Sequence, residues 1–123
     1  MKTTILGLRT TIYKVSDLTE AKEWYAKIFQ VEPYFDEIFY VGFNIGGYEL
    51  GLQPQYLVHE KSDSVVSYWG VENVEEEYNR CIALGAISHE EPQNVGGEIV
   101  VATLKDPWEN TIGLIYNPEF RLV

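Results

Sequence analysis

Two short segments decide the fold, because each of them occurs twice along the chain. Val15–Leu18 (VSDL) returns as Val71–Val74 (VENV), and Leu50–Leu52 (LGL) returns as Ile112–Leu114 (IGL). The spacing between copies is 56 positions for the first pair, from 15 to 71, and 62 for the second, from 50 to 112. A repeat of nearly constant spacing indicates a duplicated structural unit. The sequence therefore predicts an α+β fold with two βαβββ modules in one chain, whose sheets form a half-open cleft.

Each copy of the first segment ends in a helix start signal. Asp17 and Asn73 suit the N-cap position, and Glu20 and Glu76 follow them by three residues, which is the capping-box pattern. Apolar residues then recur at helical spacing and predict the buried stripes. The stripes are Leu18, Ala21, Trp24, Tyr25, Ile28 and Phe29 in the first helix, and Val74, Tyr78, Cys81 and Ile82 in the second.

The remaining segments alternate in a way that is typical of strands. In the first predicted strand, Ile5–Val15, the side chains of Thr10, Ile12 and Lys14 share one face. The hairpin Gly46-Gly47 separates two of the later strands. The other predicted strands are Val31–Glu37, Phe39–Ile45, Tyr48–Gln53, Ser64–Val71, Ala86–Glu91, Glu98–Lys105 and Asn110–Tyr116.

Length and charge limit the function. We predict one domain over residues 1–123, with a first module at about 1–54, a linker at about 55–63, a second module at about 64–116 and a tail at 117–123. The net charge of −10 argues against nucleic acid and against an anionic membrane surface as partners. A single cysteine and the absence of a long apolar run favour a cytoplasmic protein.

The order of these motifs resembles the glyoxalase / bleomycin-resistance / extradiol-dioxygenase superfamily, also called the vicinal oxygen chelate fold. Val15–Leu18 followed by Trp24-Tyr25 and Phe29 is similar to the opening segment of that family, and Val71–Val74 followed by Leu84–Ala86 is similar to its second-half counterpart. Asp106–Ile112 (DPWENTI) is similar to the closing hairpin DPxGNxI, with Glu109 where glycine is usual. These are scaffold motifs, so they indicate fold more than activity.

The resemblance implies a homodimer and, in metal-using members, one divalent ion held by His, Glu or Gln side chains. Carried over to this sequence, the ligand positions are Thr10, Gly51, Val66 and Gly113. A catalytic metal needs about three protein ligands with nitrogen or oxygen donors, which these residues do not supply. We therefore expect no metal and no cofactor. The two glycines at ligand positions either widen the cleft or merely ease the curvature of their strands.

Strand alternation predicts which residues line the cleft, a mostly apolar floor that suits a small organic ligand. Glu49 and Tyr68 are the candidate catalytic residues. A carboxylate facing an apolar cleft would have a raised pKa, which makes Glu49 a candidate general base or counter-ion for a cationic ligand, unless it pairs with Lys14 or lies exposed at the mouth. The predicted ligand-binding residues are Thr10, Ile12, Lys14, Glu49, Gly51, Gln53, Val66, Tyr68, Thr111 and Gly113.

The two histidines add no predicted site. His59 falls in the linker, and His89 precedes Glu90 and Glu91 in a strand, where consecutive residues point to opposite faces. We expect both histidines to be solvated.

Three hypotheses about the function remain. The first is a metal-free small-molecule-binding protein of the bleomycin-resistance type, which sequesters a drug or a metabolite. The alternative is a glyoxalase-like lyase or a dioxygenase-like enzyme, with a displaced metal site or an acid–base residue in the cleft. A module for protein association is a third hypothesis.

Overall fold

The computed structural model describes residues 4–57, 61–62 and 64–120. The chain divides into two compact units, Met1–Val58 and His59–Val123. The division falls within the predicted linker. That the two units form one domain with a common cleft stays a prediction.

The first unit has the predicted order of one strand, one helix and three strands. Its sheet has the strand order β1-β4-β3-β2 and is mixed, because β1 runs parallel to β4 whereas the other pairs are antiparallel. The elements are β1 (Thr10–Val15), α1 (Leu18–Phe29), β2 (Phe35–Glu37), β3 (Tyr40–Ile45) and β4 (Tyr48–Pro54).

The helix of the first unit covers one face of this sheet. The Asp17 side chain accepts a hydrogen bond from the Glu20 backbone N–H, as the capping box predicts. Tyr25 is fully buried, and its ring centroid lies 5.7 Å from that of Tyr13 on β1 and 6.0 Å from that of Phe29. Burial of such a large aromatic side chain contributes on the order of 2 kcal/mol. The opposite face of the sheet is therefore the one left for a ligand.

The second unit repeats this arrangement with the strand order β5-β8-β7-β6, and β5 runs parallel to β8. Asn73 caps its helix by accepting from the Glu76 backbone N–H. The buried residues of that helix are Val74, Tyr78 and Cys81, whereas Ile82 is exposed, contrary to the prediction. The elements are β5 (Tyr68–Gly70), α2 (Val74–Ala83), β6 (Ile87–Gly96), β7 (Ile99–Lys105) and β8 (Thr111–Tyr116).

Two strands of the second unit differ in length from the prediction. The strand β5 has only three residues, so Val66 lies outside it. The strand β6 extends ten residues to Gly96, past Pro92, with register shifts against β7. Proline is tolerated here because β6 is the edge strand, and Pro92 lies within one of the shifts, between Glu90 and Gln93. Within the described part of the chain, no helix is long and apolar enough to cross a membrane.

Candidate functional site

The Glu49 carboxylate is the centre of a polar cluster on the helix-free face of the first sheet. Glu49 on β4 lies opposite Thr10 on β1 in the parallel register, and the Thr10 hydroxyl donates to Glu49 Oε1 at 2.8 Å. The Tyr34 hydroxyl donates to Glu49 Oε2 in a short hydrogen bond. Tyr40 supplies a third hydroxyl to the same carboxylate. A carboxylate with three hydroxyl donors is held in one position.

These hydrogen bonds fix the protonation states of the cluster. The Tyr34 hydroxyl, and then those of Thr10 and Tyr40, lower the pKa of Glu49 although partial burial opposes them. The raised pKa that the sequence suggested for Glu49 is therefore wrong. Burial, together with the bond to Glu49, raises the pKa of Tyr40 to about 12, and the bond to Glu49 also raises the pKa of Tyr34. At neutral pH the cluster is one carboxylate anion with neutral phenols.

The predicted Lys14 ion pair does not explain this arrangement. Lys14 lies opposite Gln53, four residues further along β1 than Thr10, which is about 13 Å at the rise of a strand. The partners of the Glu49 carboxylate are the hydroxyls of Thr10, Tyr34 and Tyr40, rather than the predicted Lys14 ammonium group.

Two glycines let the tyrosines lie flat on the sheet. A side chain at Gly51 would overlap the Tyr40 hydroxyl and come within 2.9 Å of Tyr40 Cε1. A side chain at Gly42 would lie 2.9 Å from both Glu49 Oε2 and Tyr34 Cε1. Gly51 thus neither widens a cavity nor only eases curvature, because its missing side chain is replaced by Tyr40.

An aromatic cluster adjoins the carboxylate. Phe35 is its hub, with ring centroids 6.5 Å from Tyr34, 6.1 Å from Phe39 and 6.1 Å from Tyr40. Phe35, Phe39 and Tyr34 are 39%, 59% and 63% exposed, so their rings present apolar surface to solvent. The site of the first module therefore combines a fixed anion with open aromatic faces.

The second module carries three of its four predicted residues, Tyr68, Thr111 and Gly113, on one face of its own sheet. Tyr68 lies opposite Gly113, and a side chain at Gly113 would come within 2.7 Å of Tyr68 Cδ1 and of the Ser67 carbonyl oxygen. Thr111 is buried and accepts a hydrogen bond from Lys105 Nζ at 2.7 Å. Val66, which precedes β5, is half-buried and has no strand register with these residues.

A second polar cluster on this module was missed by the sequence analysis. The buried Thr103 hydroxyl donates to Glu90 Oε1 at 2.8 Å, and His89 Nδ1 lies 2.9 Å from the same hydroxyl oxygen. Both residues reach Thr103 because the register between β6 and β7 shifts from Ser88 to Glu90. The expectation of opposite faces for His89 and Glu90 is thus wrong because of the shift between Ser88 and Glu90, whereas Pro92 lies in the next shift, between Glu90 and Gln93.

The geometry sets the direction of the hydrogen bond between His89 and Thr103. The Thr103 hydroxyl donates its single proton to Glu90, so its oxygen can only accept from Nδ1 of His89. His59, the other histidine, lies outside the described residues.

A groove of about 510 Å³ also lies on the second module, where the chain leaves the parallel strands β5 and β8. Most of its lining residues are apolar or aromatic, and Glu72 carries a charge. None of the ligand-binding residues predicted from the sequence lines this groove.

The divalent metal that the resemblance implies does not fit these residues. At the four ligand positions, Gly51 and Gly113 have their side-chain space taken by other groups, and the Thr10 hydroxyl is already bonded to Glu49. Among residues 4–57, 61–62 and 64–120, no group of three or more His, Cys, Asp or Glu side chains is placed to hold a metal ion. A catalytic metal needs about three such ligands.

Solved structures of known proteins share this fold. A glyoxalase-related enzyme from Fulvimarina pelagi matches with a TM-score of 0.80 and 15% identity, over 97% of this chain and 94% of that one. A glyoxalase/bleomycin resistance protein/dioxygenase family enzyme from Burkholderia phytofirmans matches with a TM-score of 0.76 and 16% identity, over 87% and 95%.

A third similar structure contains a metal. It is a mutant of the fosfomycin resistance protein FosX from Listeria monocytogenes, complexed with Mn(II) and 1S,2S-dihydroxypropylphosphonic acid, with a TM-score of 0.78 and 22% identity over 94% of each chain. No protein-family model and no curated protein sequence matches this chain. The TM-scores of 0.76 to 0.80 establish the fold, whereas identities of 15% to 22% give no information about the activity of this chain.

Proposed function

Since the chain has the glyoxalase/bleomycin-resistance fold, we propose that it is a metal-free small-molecule-binding protein that uses the helix-free face of its first sheet. The single observation that supports this function is a carboxylate that accepts hydrogen bonds from three hydroxyls, beside positions where the resemblance implies metal ligands. Glu49 is held by Thr10, Tyr34 and Tyr40, and the Tyr40 hydroxyl takes the space of a side chain at Gly51. A ligand is then a small organic molecule, such as a drug or metabolite that the protein sequesters in the cytoplasm as a homodimer.

The experiment that tests this function is thermal unfolding with Mn(II), Ni(II), Zn(II) or a chelator. A ligand that binds only the native state adds about 2.7 kcal/mol to the free energy of unfolding at a hundredfold excess over Kd. The melting temperature rises as a result. We expect no change with any metal at 1:1 to about 100:1 excess, and none with the chelator. A rise that disappears in Glu49→Gln would contradict the metal-free proposal.

The alternative, a lyase-like or dioxygenase-like enzyme, is favoured by the enzymes among the structural neighbours. Its acid–base residue would be Glu49 or Tyr68. The lowered pKa of Glu49 makes this carboxylate a weaker base, which argues for binding rather than proton abstraction. If a turnover is found, loss of that turnover in Glu49→Gln with unchanged ligand affinity would favour the enzyme over the binding protein.

A further inference from the structure

We propose that the first module recognises an alkylated ammonium group, with the Glu49 carboxylate as counter-ion and the rings of Tyr34, Phe35 and Phe39 as contact surface. This inference rests on the proposed binding function and names the chemical class of its ligand. It follows from three properties of the cluster: its charge, its exposed rings and its occupied acceptors.

The charge of the cluster favours a cation. The carboxylate of Glu49 is held as an anion by the hydroxyls around it, and their phenols are neutral at physiological pH. The net charge of −10 adds a long-range attraction for cations. An anionic ligand group would meet repulsion from both.

The exposed rings favour a cation that carries apolar substituents. Phe35 contacts Tyr34, Phe39 and Tyr40, and three of these four rings lie on the solvent side of the cluster. Cations are attracted to aromatic faces by about 0.5–1 kcal/mol at exposed sites, and N-methyl groups add apolar contact. A contiguous apolar surface beside a fixed charge is the pattern of a binding site.

The occupied acceptors discriminate between classes of cation. A carboxylate offers about four lone-pair sites, and the hydroxyls of Thr10, Tyr34 and Tyr40 use three of those on Glu49. A primary ammonium brings three N–H donors that need acceptors once water is removed, so it must displace a hydroxyl. A trimethylated ammonium brings no donor and needs only the charge and the rings.

The experiment is an NMR titration of the ¹⁵N-labelled protein with three small probes of similar shape. The probes are choline, ethanolamine as its primary-ammonium counterpart, and 3,3-dimethylbutan-1-ol as its neutral carbon isostere. We expect choline to bind with a Kd about fivefold or more below those of both other probes, with shifts at Glu49 and Phe35. Equal Kd values for choline and the neutral isostere would overturn the inference.

Two variants and one control make the assignment specific. Glu49→Gln should abolish the preference for choline over the isostere, whereas Glu23→Gln on the exposed side of α1 makes the same charge change and should leave it unaltered. Tyr34→Phe keeps a ring but frees one acceptor site, so it should shift selectivity toward ethanolamine by about two- to fivefold. An unchanged selectivity in Tyr34→Phe would refute the role of the occupied acceptors.

The same titrations separate this inference from the proposed function. Binding of the neutral isostere at Glu49 and Phe35 as tightly as choline overturns the ammonium class but supports a small-molecule site. Line broadening at Glu49 on adding Mn(II), displaced by none of the probes, overturns both.

Discussion

Gly51→Ala is expected to destabilise the protein, because Tyr40 lies where the new methyl group would be. The added carbon would overlap the Tyr40 hydroxyl and lie 2.7 Å from Tyr40 Cζ, whereas carbon atoms pack favourably at about 3.5–4.0 Å. The ring must therefore move away, which breaks its hydrogen bond to Glu49. The variant thus measures how firmly Tyr40 occupies the space beside Gly51.

The magnitude follows from opposing contributions. Overpacking costs about 1–3 kcal/mol, including about 1 kcal/mol for the hydrogen bond. Alanine restricts the unfolded chain more than glycine does, which offsets about 0.4–1 kcal/mol. We expect a net loss of about 1–2 kcal/mol in the free energy of unfolding, or a melting temperature lower by roughly 4–8 °C. Urea unfolding and calorimetry measure the two quantities.

Two controls decide whether the effect comes from Tyr40. Gly70→Ala places a methyl group where, apart from its two chain neighbours, no described residue has a heavy atom within 4 Å, so it should be neutral or slightly stabilising. In a Tyr40→Ala background the Gly51→Ala change should also become neutral or stabilising. If Gly51→Ala costs the same with and without Tyr40, or costs nothing in the wild-type chain, the steric argument is wrong.

Three further outcomes are expected. Glu109 has φ +68°, a left-handed conformation that costs a side chain about 1–2 kcal/mol, so Glu109→Gly should raise the free energy of unfolding by about 0.5–1 kcal/mol in urea, whereas Glu109→Ala should not. Lys61 Nζ donates to the Trp108 carbonyl at 2.8 Å and to Asn110 Oδ1 at 3.1 Å, so Lys61→Met should lower the calorimetric stability by about 1–2 kcal/mol, and an unchanged melting temperature would refute this. The pKa of Tyr40 is raised from 10.0 to about 12, so the contribution of this tyrosine to the free energy of unfolding is complete below pH 10 and is lost as pH rises to about 12. Urea titrations from pH 8 to pH 12 should show a smaller alkaline loss of stability in Tyr40→Phe than in the wild-type chain. An equal loss in both would contradict this prediction.

Local signals in the sequence were sufficient for the fold. The caps at Asp17 and Asn73 bond as predicted, because capping depends on residues three positions apart. Alternation predicted that Thr10 and Glu49 both lie on the cleft face of their strands, where the structure shows them hydrogen-bonded to each other. Gly46 and Gly47 form the turn with positive φ, as the hairpin pattern requires.

The site was harder to predict because its contacts are distant in sequence. Tyr34 and Tyr40 reach Glu49 across the sheet, and nothing local distinguishes them from other aromatic residues of the strands. The predicted direction of the pKa shift at Glu49 was wrong for the same reason, because the sequence does not show the hydroxyl donors that lower this pKa. The bulge that joins His89 to Thr103 changes strand alternation, on which the opposite-face expectation depended.

The most direct test of a metal-free site is a crystal structure grown with excess Mn(II) and choline, with anomalous data that locate manganese. We expect Glu49 to keep its hydroxyl partners, no manganese bonded to it, and the trimethylammonium group against Phe35. A manganese ion bonded to Glu49, with Tyr40 displaced from Gly51, would contradict the account.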